Sequence, residues 1–290
     1  MRDFVIITDS CCDLPAQTAQ ELELEVLPLS FQLRGRDYYN YLDGHELSFP
    51  DFYAQVRGGE QVTTAAVNVG QFETAMRAAL EAGQDVLSIS FSSALSTTYQ
   101  SSVIAAQSLR EEFPDAKILT VDSLCASLGQ GLLLWLCVQQ KRSGRSLEEV
   151  HAYAEEMKMR IGHWFTVDDL NHLKRGGRVS AAAALFGTML SVKPVLQVNR
   201  EGQLIPVHKV RGRKASLLAL VDEMEKNMLP PAEQTVFISH GDSEADARFV
   251  AEEIRRRFGI ENIRINFVGP VIGGHAGPGT IALFYLGNGR

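Results

Sequence analysis

Apolar positions along the first half of the chain alternate between two rhythms. Phe4-Val-Ile-Ile7 is an unbroken apolar run of strand length. Asp13 followed by Pro15 reads as a helix start, with an acid at the cap and a proline in the first turn. Phe72, Ala75, Met76, Ala79 and Leu80 recur at helical spacing, and Val86–Phe91 follows as a strand. A helix from about Tyr99 to Glu112 stops before Pro114. Ile118–Val121 is a further strand, and a helix follows near Leu128–Lys141. Strand and helix in alternation predict a parallel sheet with helices on both faces.

The rhythm breaks at Lys141-Arg-Ser-Gly-Arg-Ser146, a polar stretch with the composition of a linker. A helix with Leu147, Val150, His151 and Ala154 on one face follows it. Strands are expected near Gly162–Val167, Val192–Val198, Gln203–Val210, Val236–Ser239, Ile263–Val268 and Ile281–Leu286. Two strong helices lie among them, one carrying Leu217, Leu220, Val221, Met224 and Met228, the other Ala247, Val250, Ala251, Ile254 and Phe258. Val195–Ile205 reads as a hairpin, so this second sheet is expected to be mixed. The chain has 290 residues, long for one core. The expectation is an α/β protein of two domains, an N-terminal Rossmann-like domain over 1–155 and a C-terminal mixed-sheet domain over 156–290.

Composition narrows the function classes. With 45% hydrophobic and 22% charged residues the chain has the make-up of an ordinary globular protein. A formal net charge of −7 argues against a global grip on nucleic acid. The longest apolar run, Leu132–Val138, is far shorter than the ~20 residues of a membrane span. The chain opens on Met-Arg-Asp-Phe-Val and enters a strand without the apolar region of a signal peptide, so a cytoplasmic protein is expected. Its four cysteines, Cys11, Cys12, Cys125 and Cys137, form no CxxC pair or Cys/His ladder. They read as reduced thiols, and no metal site is expected.

Candidate chemistry collects in a few places. In Gly269–Gly279 five glycines surround His275 and two prolines stiffen the approach, a loop suited to a small anionic head group. It is neither a Walker loop nor a dinucleotide fingerprint. Predicted strands end in hydroxyls and carboxylates: Thr8-Asp-Ser10, Ser92-Ser93 with Ser96-Thr-Thr98, and Asp122-Ser123. Ligands of open parallel sheets bind beyond such ends. Thr63-Thr64 lies in an expected loop before the Phe72 helix. Helix capping accounts for many such residues singly, but their accumulation at one edge favours a site. Lys174, Arg175 and Arg178 flank a Gly-Gly turn, a local basic patch able to meet an anionic ligand or acidic partner. The other histidines, His45, His151, His163, His172, His208 and His240, show no metal spacing and read as surface or satisfied residues.

Taken together, these motifs resemble the DegV family. Thr8-Asp-Ser-Cys-Cys-Asp-Leu-Pro15, Ser92–Gln100, Val121-Asp-Ser123, Leu173–Ser180, Lys193-Pro194, Lys209-Val-Arg-Gly212 and the Gly269–Gly279 loop occur in the family's order over nearly the whole chain. The resemblance implies a two-domain DegV-like fold enclosing one long-chain fatty acid, a non-enzymatic subunit without cofactor. Such a subunit presents the acyl carboxylate to a separate ATP-dependent fatty acid kinase and carries the acyl phosphate toward phospholipid synthesis, with transient membrane-surface contact for acyl exchange. It implies carboxylate contacts at Thr63 or Thr64, Ser93 or Ser92, and His275. Loop, phosphate or partner contacts are implied at Gly273, Gly274 and Arg175 or Arg178. The chain departs from the family where Thr-Ser-Gln-Pro-Ser becomes Thr63-Thr-Ala-Ala-Val67 and where Leu-Ser-Gly-Thr-Tyr becomes Leu95-Ser-Thr-Thr-Tyr99. An alternative from the residues alone is a Ser/His hydrolase using Ser93, His275 and Asp9 or Asp122, although no Gly-x-Ser-x-Gly elbow accompanies them.

Overall fold

Strand β1 (Phe4–Asp9) sends Ile6 to one face of its sheet and Ile7 to the other, and the two side chains join different cores. The structure, a computed structural model, describes residues 2–179 and 192–290. After β1 the chain forms α1 (Ala16–Glu21), β2 (Leu24–Leu27), β3 (Ser30–Leu33), β4 (Arg36–Tyr39), α2 (Phe49–Arg57) and β5 (Val62–Ala65). It continues through α3 (Val69–Glu81), β6 (Asp85–Ser90), α4 (Thr98–Glu112), β7 (Ile118–Asp122), α5 (Leu128–Arg142) and α6 (Leu147–Met157). Strands β2-β1-β6-β7 make a four-stranded sheet, parallel throughout. Phe72 and Met76 of α3 and Ala105 and Leu109 of α4 cover Ile7, Val86 and Ile118 on one face. On the other, α5 and α6 cover Phe4, Ile6, Leu87 and Ile89.

The second half runs through β8 (Ile161–Thr166), α7 (Asn171–Gly176), β9 (Val192–Val198), β10 (Leu204–Arg211), α8 (Arg213–Asn227) and β11 (Val236–His240). Then come α9 (Glu244–Phe258), β12 (Ile263–Phe267), α10 (Pro270–Ala276) and β13 (Ile281–Leu286). Its six-stranded sheet has the order β10-β9-β8-β13-β11-β12, in which β11 and β12 pair in parallel and the other neighbours antiparallel. The sheet is therefore mixed, and α8 and α9 pack on its outer face through Leu220, Met224, Val250 and Ile254.

Helix α5 joins the halves. Its run Leu132–Leu134 is fully buried, as is Cys137, and the helix packs against β8, β11 and β13 of the mixed sheet. Its apolar residues share one core with Phe4 and Ile6 of β1 and with Phe165, Phe237 and Phe284 of the mixed sheet. A helix apolar all round is one buried all round, and here that layer serves both sheets.

Two expectations need correction. Asp13 does not cap α1: the N-cap there is Pro15, without a side-chain bond. Asp13 instead takes a left-handed conformation after a short 3-10 turn over Ser10–Cys12, and its carboxyl is buried elsewhere. Thr63-Thr64 is not in a loop but in β5, an edge of a small antiparallel sheet of order β4-β3-β5. These strands have four residues each, too few to show a clear period alone.

Candidate functional site at the junction of the two sheets

Buried acids shape the turn beyond β6. The Asp9 carboxylate accepts from the Phe91 amide at 2.7 Å and from Cys11 N at 3.1 Å. Burial raises its pKa from 3.8 to about 6, against the lowering effect of those bonds. Ser92 turns inward and donates to the Gly202 carbonyl at 2.9 Å, so its hydroxyl ties the turn to the β9–β10 hairpin. Ser93 faces the other way, toward a cavity, while its amide donates to Asp122 Oδ1 at 3.1 Å. Asp9 and Asp122 thus hold backbone amides, and neither is bonded to His275.

Alternation along β5 separates the two threonines. Thr63 stands opposite Gln32 and is exposed, whereas Thr64 stands opposite Phe31 and lines the cavity. Thr64 Oγ1 lies 2.8 Å from His275 Nε2. The Gly269–Gly279 segment is mostly helix rather than loop: Gly269 is the N-cap of α10, Pro270 opens it, and His275 sits in its last turn. Its small residues allow close approach. A side chain at Gly273 would meet Tyr53, and one at Gly274 would come within 2.7 Å of Val62 Cγ1. Gly273 and Gly274 therefore pack α10 against α2 and β5 and are not among the residues lining the cavity.

The basic segment is also ordered differently from a plain turn. Lys174 and Arg175 end α7, and Gly177 closes it in a left-handed conformation. Arg175 is exposed and points to His172 Nδ1, 3.1 Å away. Arg178 lines the cavity and reaches the Gly176 carbonyl at 2.6 Å and the Leu95 carbonyl at 3.4 Å. Burial, helped by the Arg178 charge, lowers the His275 pKa from 6.5 to about 4. The imidazole is accordingly neutral at pH 7, and one ring N–H is available to donate. Ser180, the last residue of that motif, lies outside the described residues.

Beneath Thr64, Ser93 and His275 opens a cavity of about 430 Å³ between the carboxyl ends of the parallel strands and the inner face of the mixed sheet. Phe91, Leu95, Phe165, Leu173, Ile272 and Phe284 form much of its wall. An apolar hollow with a few converging polar groups is the usual form of a small-molecule site. Several polar lining residues escaped the sequence reading, Thr280 among them. Ser127, at the N-cap of α5, and Ser239, within β11, lie 2.8 Å apart across the junction. His163, expected to be a surface or satisfied residue, is buried in the wall; its Nδ1 pairs with Ile161 O at 2.9 Å. Burial holds it neutral, well below the ordinary histidine range. His240, at the end of β11, is buried against Phe267. Among the described residues no cluster of three His, Cys, Asp or Glu could hold a metal ion, and no helix is long and apolar enough to cross a membrane.

Known proteins share this sequence and this fold. The family model described as "Uncharacterised protein, DegV family" matches residues 3–288. A DegV domain-containing protein of Clostridium perfringens is 44% identical over 288 residues, 99% of each chain. Among solved structures, a fatty-acid-binding DegV family protein of Thermus thermophilus is 31% identical with a TM-score of 0.87, covering 99% of this chain and 100% of its own. A DegV lipid-binding protein of Thermotoga maritima is 27% identical, also with a TM-score of 0.87 and 99% of each chain covered. The family match over residues 3–288 and the 44% identity over the whole length show that this chain belongs to the DegV family.

Proposed function

We propose that the cavity holds one long-chain fatty acid, its carboxylate at Thr64, Ser93 and His275 and its chain along the wall of Phe165, Leu173 and Phe284. The observation that carries the reading is the apolar hollow ending at a hydroxyl–imidazole pair, Thr64 and His275, 2.8 Å apart. Each buried methylene contributes roughly 0.8 kcal/mol, so a chain of about fourteen supplies the larger share of affinity. That gain is offset by the cost of ordering the chain and losing its free motion. The head group decides identity. A buried carboxylate needs hydrogen-bond donors, and here two hydroxyls and a neutral imidazole converge, with the Arg178 guanidinium beside the mouth. Fatty-acid binding by the Thermus relative, lipid binding by the Thermotoga relative and the shared fold support the same ligand class.

The role built on that ligand is presentation. The carboxylate end lies near the exposed Ser93 and the basic Arg178, where a separate ATP-dependent kinase would reach it. The chain would then release an acyl phosphate toward phospholipid synthesis. Arg175, exposed on α7 three residues before Arg178, suits contact with that kinase or with the new phosphate. Equilibrium dialysis against radiolabelled palmitate and oleate tests the ligand, with one acid bound per chain expected. Adding ATP and a fatty acid kinase tests presentation. Acyl phosphate should form only when this protein is present; formation at equal rate without it would overturn the presenting role.

A further inference from the structure

Asp13 does not line the cavity, yet it ties the N-terminus of α10 to the start of α5 and to β12. Its Oδ1 accepts from the Gly269 amide at 3.0 Å, at the N-cap of α10. Oδ2 lies 2.5 Å from Ser127 Oγ, which lies 2.8 Å from Ser239 Oγ at the end of β11. The Asp13 carbonyl accepts from Asn266 Nδ2 of β12 at 2.8 Å. Asp13, Ser127 and Ser239 are each at most 3% exposed. Asp13 and Ser127 both hold positive φ, at 51° and 53°, a costly conformation for residues other than glycine. Gly269 and His275 stand six residues apart, about 9 Å along one short helix. Any displacement of the first moves the second.

We propose that Asp13 is a positioning residue for the fatty-acid head group: its carboxyl fixes the N-terminus of α10 to the N-terminal half and so sets where His275 meets Thr64. Tyr53 shares the task by donating to the Val268 carbonyl at 2.7 Å. The bonding pattern suits a protonated acid. Ser127 Oγ has one proton and two close acceptors, Asp13 Oδ2 and Ser239 Oγ. With Asp13 protonated, its Oδ2–H donates to Ser127 and leaves the Ser127 proton for Ser239, while Oδ1 still accepts from Gly269. Burial supports this by raising the Asp13 pKa from 3.8 to about 8. An asparagine can reproduce the pattern, with Oδ1 as acceptor and Nδ2–H as donor. Alanine cannot.

This inference rests on the fatty-acid reading, and the test separates the two. For each variant, dissociation constants are measured for palmitic acid and for hexadecanol, which shares the chain but lacks the carboxylate. In wild type the acid should bind more tightly. Asp13→Ala should reduce that preference roughly ten-fold, the scale of one hydrogen bond to a charged group. Asp13→Asn should keep it within about two-fold, and in a His275→Ala background Asp13→Ala should change it no further. Should Asp13→Ala fail to fold, Ser127→Ala removes the other arm of the tie and carries the same expectation. Equal weakening of acid and alcohol, or loss of preference in Asp13→Asn as large as in Asp13→Ala, would overturn the positioning role. A wild-type protein with no preference for the acid would overturn the fatty-acid reading itself. NMR titration of the His275 ring then still tests the tie without ligand. Asp13→Ala should return the ring pKa toward 6.5 and Asp13→Asn should leave it low; an unmoved ring in Asp13→Ala would end the proposal.

Discussion

Two adjacent glycines allow the head-group assignment to be tested apart from stability. Gly176 lies in the last turn of α7 with helical backbone, and a Cβ added there would overlap His275 Nδ1 and fall 3.1 Å from its Cγ. Gly177 has φ +66°, and a Cβ there would meet nothing within 4 Å. Gly176→Ala therefore forces the imidazole to turn away from Thr64, while alanine itself is favoured over glycine in a helix by roughly 1 kcal/mol. A hydrogen bond to a charged group contributes about 1.5–3 kcal/mol. Its loss should weaken oleate binding roughly 10- to 150-fold, with the urea midpoint unchanged or slightly higher. Gly177→Ala should do the reverse, lowering stability by about 1 kcal/mol through left-handed strain and leaving oleate affinity alone. Equilibrium dialysis and urea unfolding of the two variants give all four numbers. Wild-type affinity in Gly176→Ala, or equal loss of affinity in both, would refute the imidazole as a head-group donor.

Two further expectations follow from the same geometry. Thr64→Val should weaken fatty-acid binding about ten-fold, whereas Thr63→Val, on the exposed face of β5, should change it less than two-fold; dialysis with palmitate decides between them. Stability should also depend on pH through Asp13. A carboxyl with a folded pKa near 8 holds its proton where the unfolded chain, near 3.8, does not. Its contribution is therefore full at low pH and is lost as pH rises through 8. Between pH 6 and 8 the stability of wild type relative to Asp13→Asn should fall by about 2 kcal/mol, read from urea midpoints. A constant difference across that range would show that Asp13 is ionised throughout.

Long elements were legible in the sequence because their burial imposes a period. Strands β1, β6 and β7 and helices α3 to α6 follow from apolar spacing, and the Asn199–Gln203 turn marks the β9–β10 hairpin, whereas the short edge strand β2 was not anticipated. Shorter elements were not. Strands β3, β4 and β5 owe their form to pairing with one another, as in Phe31 opposite both Tyr38 and Thr64, and four residues carry too little pattern to reveal that. The consequence was specific: without a strand there was no face, so Thr63 and Thr64 could not be told apart. Helix α10 was hidden for a different reason. Gly273 and Gly274 have poor helix propensity and read as loop, but their lack of side chains lets the helix press against Tyr53 and Val62, and packing overrides propensity. Asp13 followed the same logic, since a cap was the local reading and a partner 256 residues away, Gly269, was the actual one.

The most direct test of the account is an electron-density map of the protein purified without added lipid or after soaking with palmitate. Continuous density along Phe165, Leu173 and Phe284, ending in a carboxylate within hydrogen-bond distance of Thr64, Ser93 and His275, is the predicted result. A cavity filled only by water after soaking, or an acyl chain lying with its carboxylate against His163 and its methyl end at His275, would contradict it.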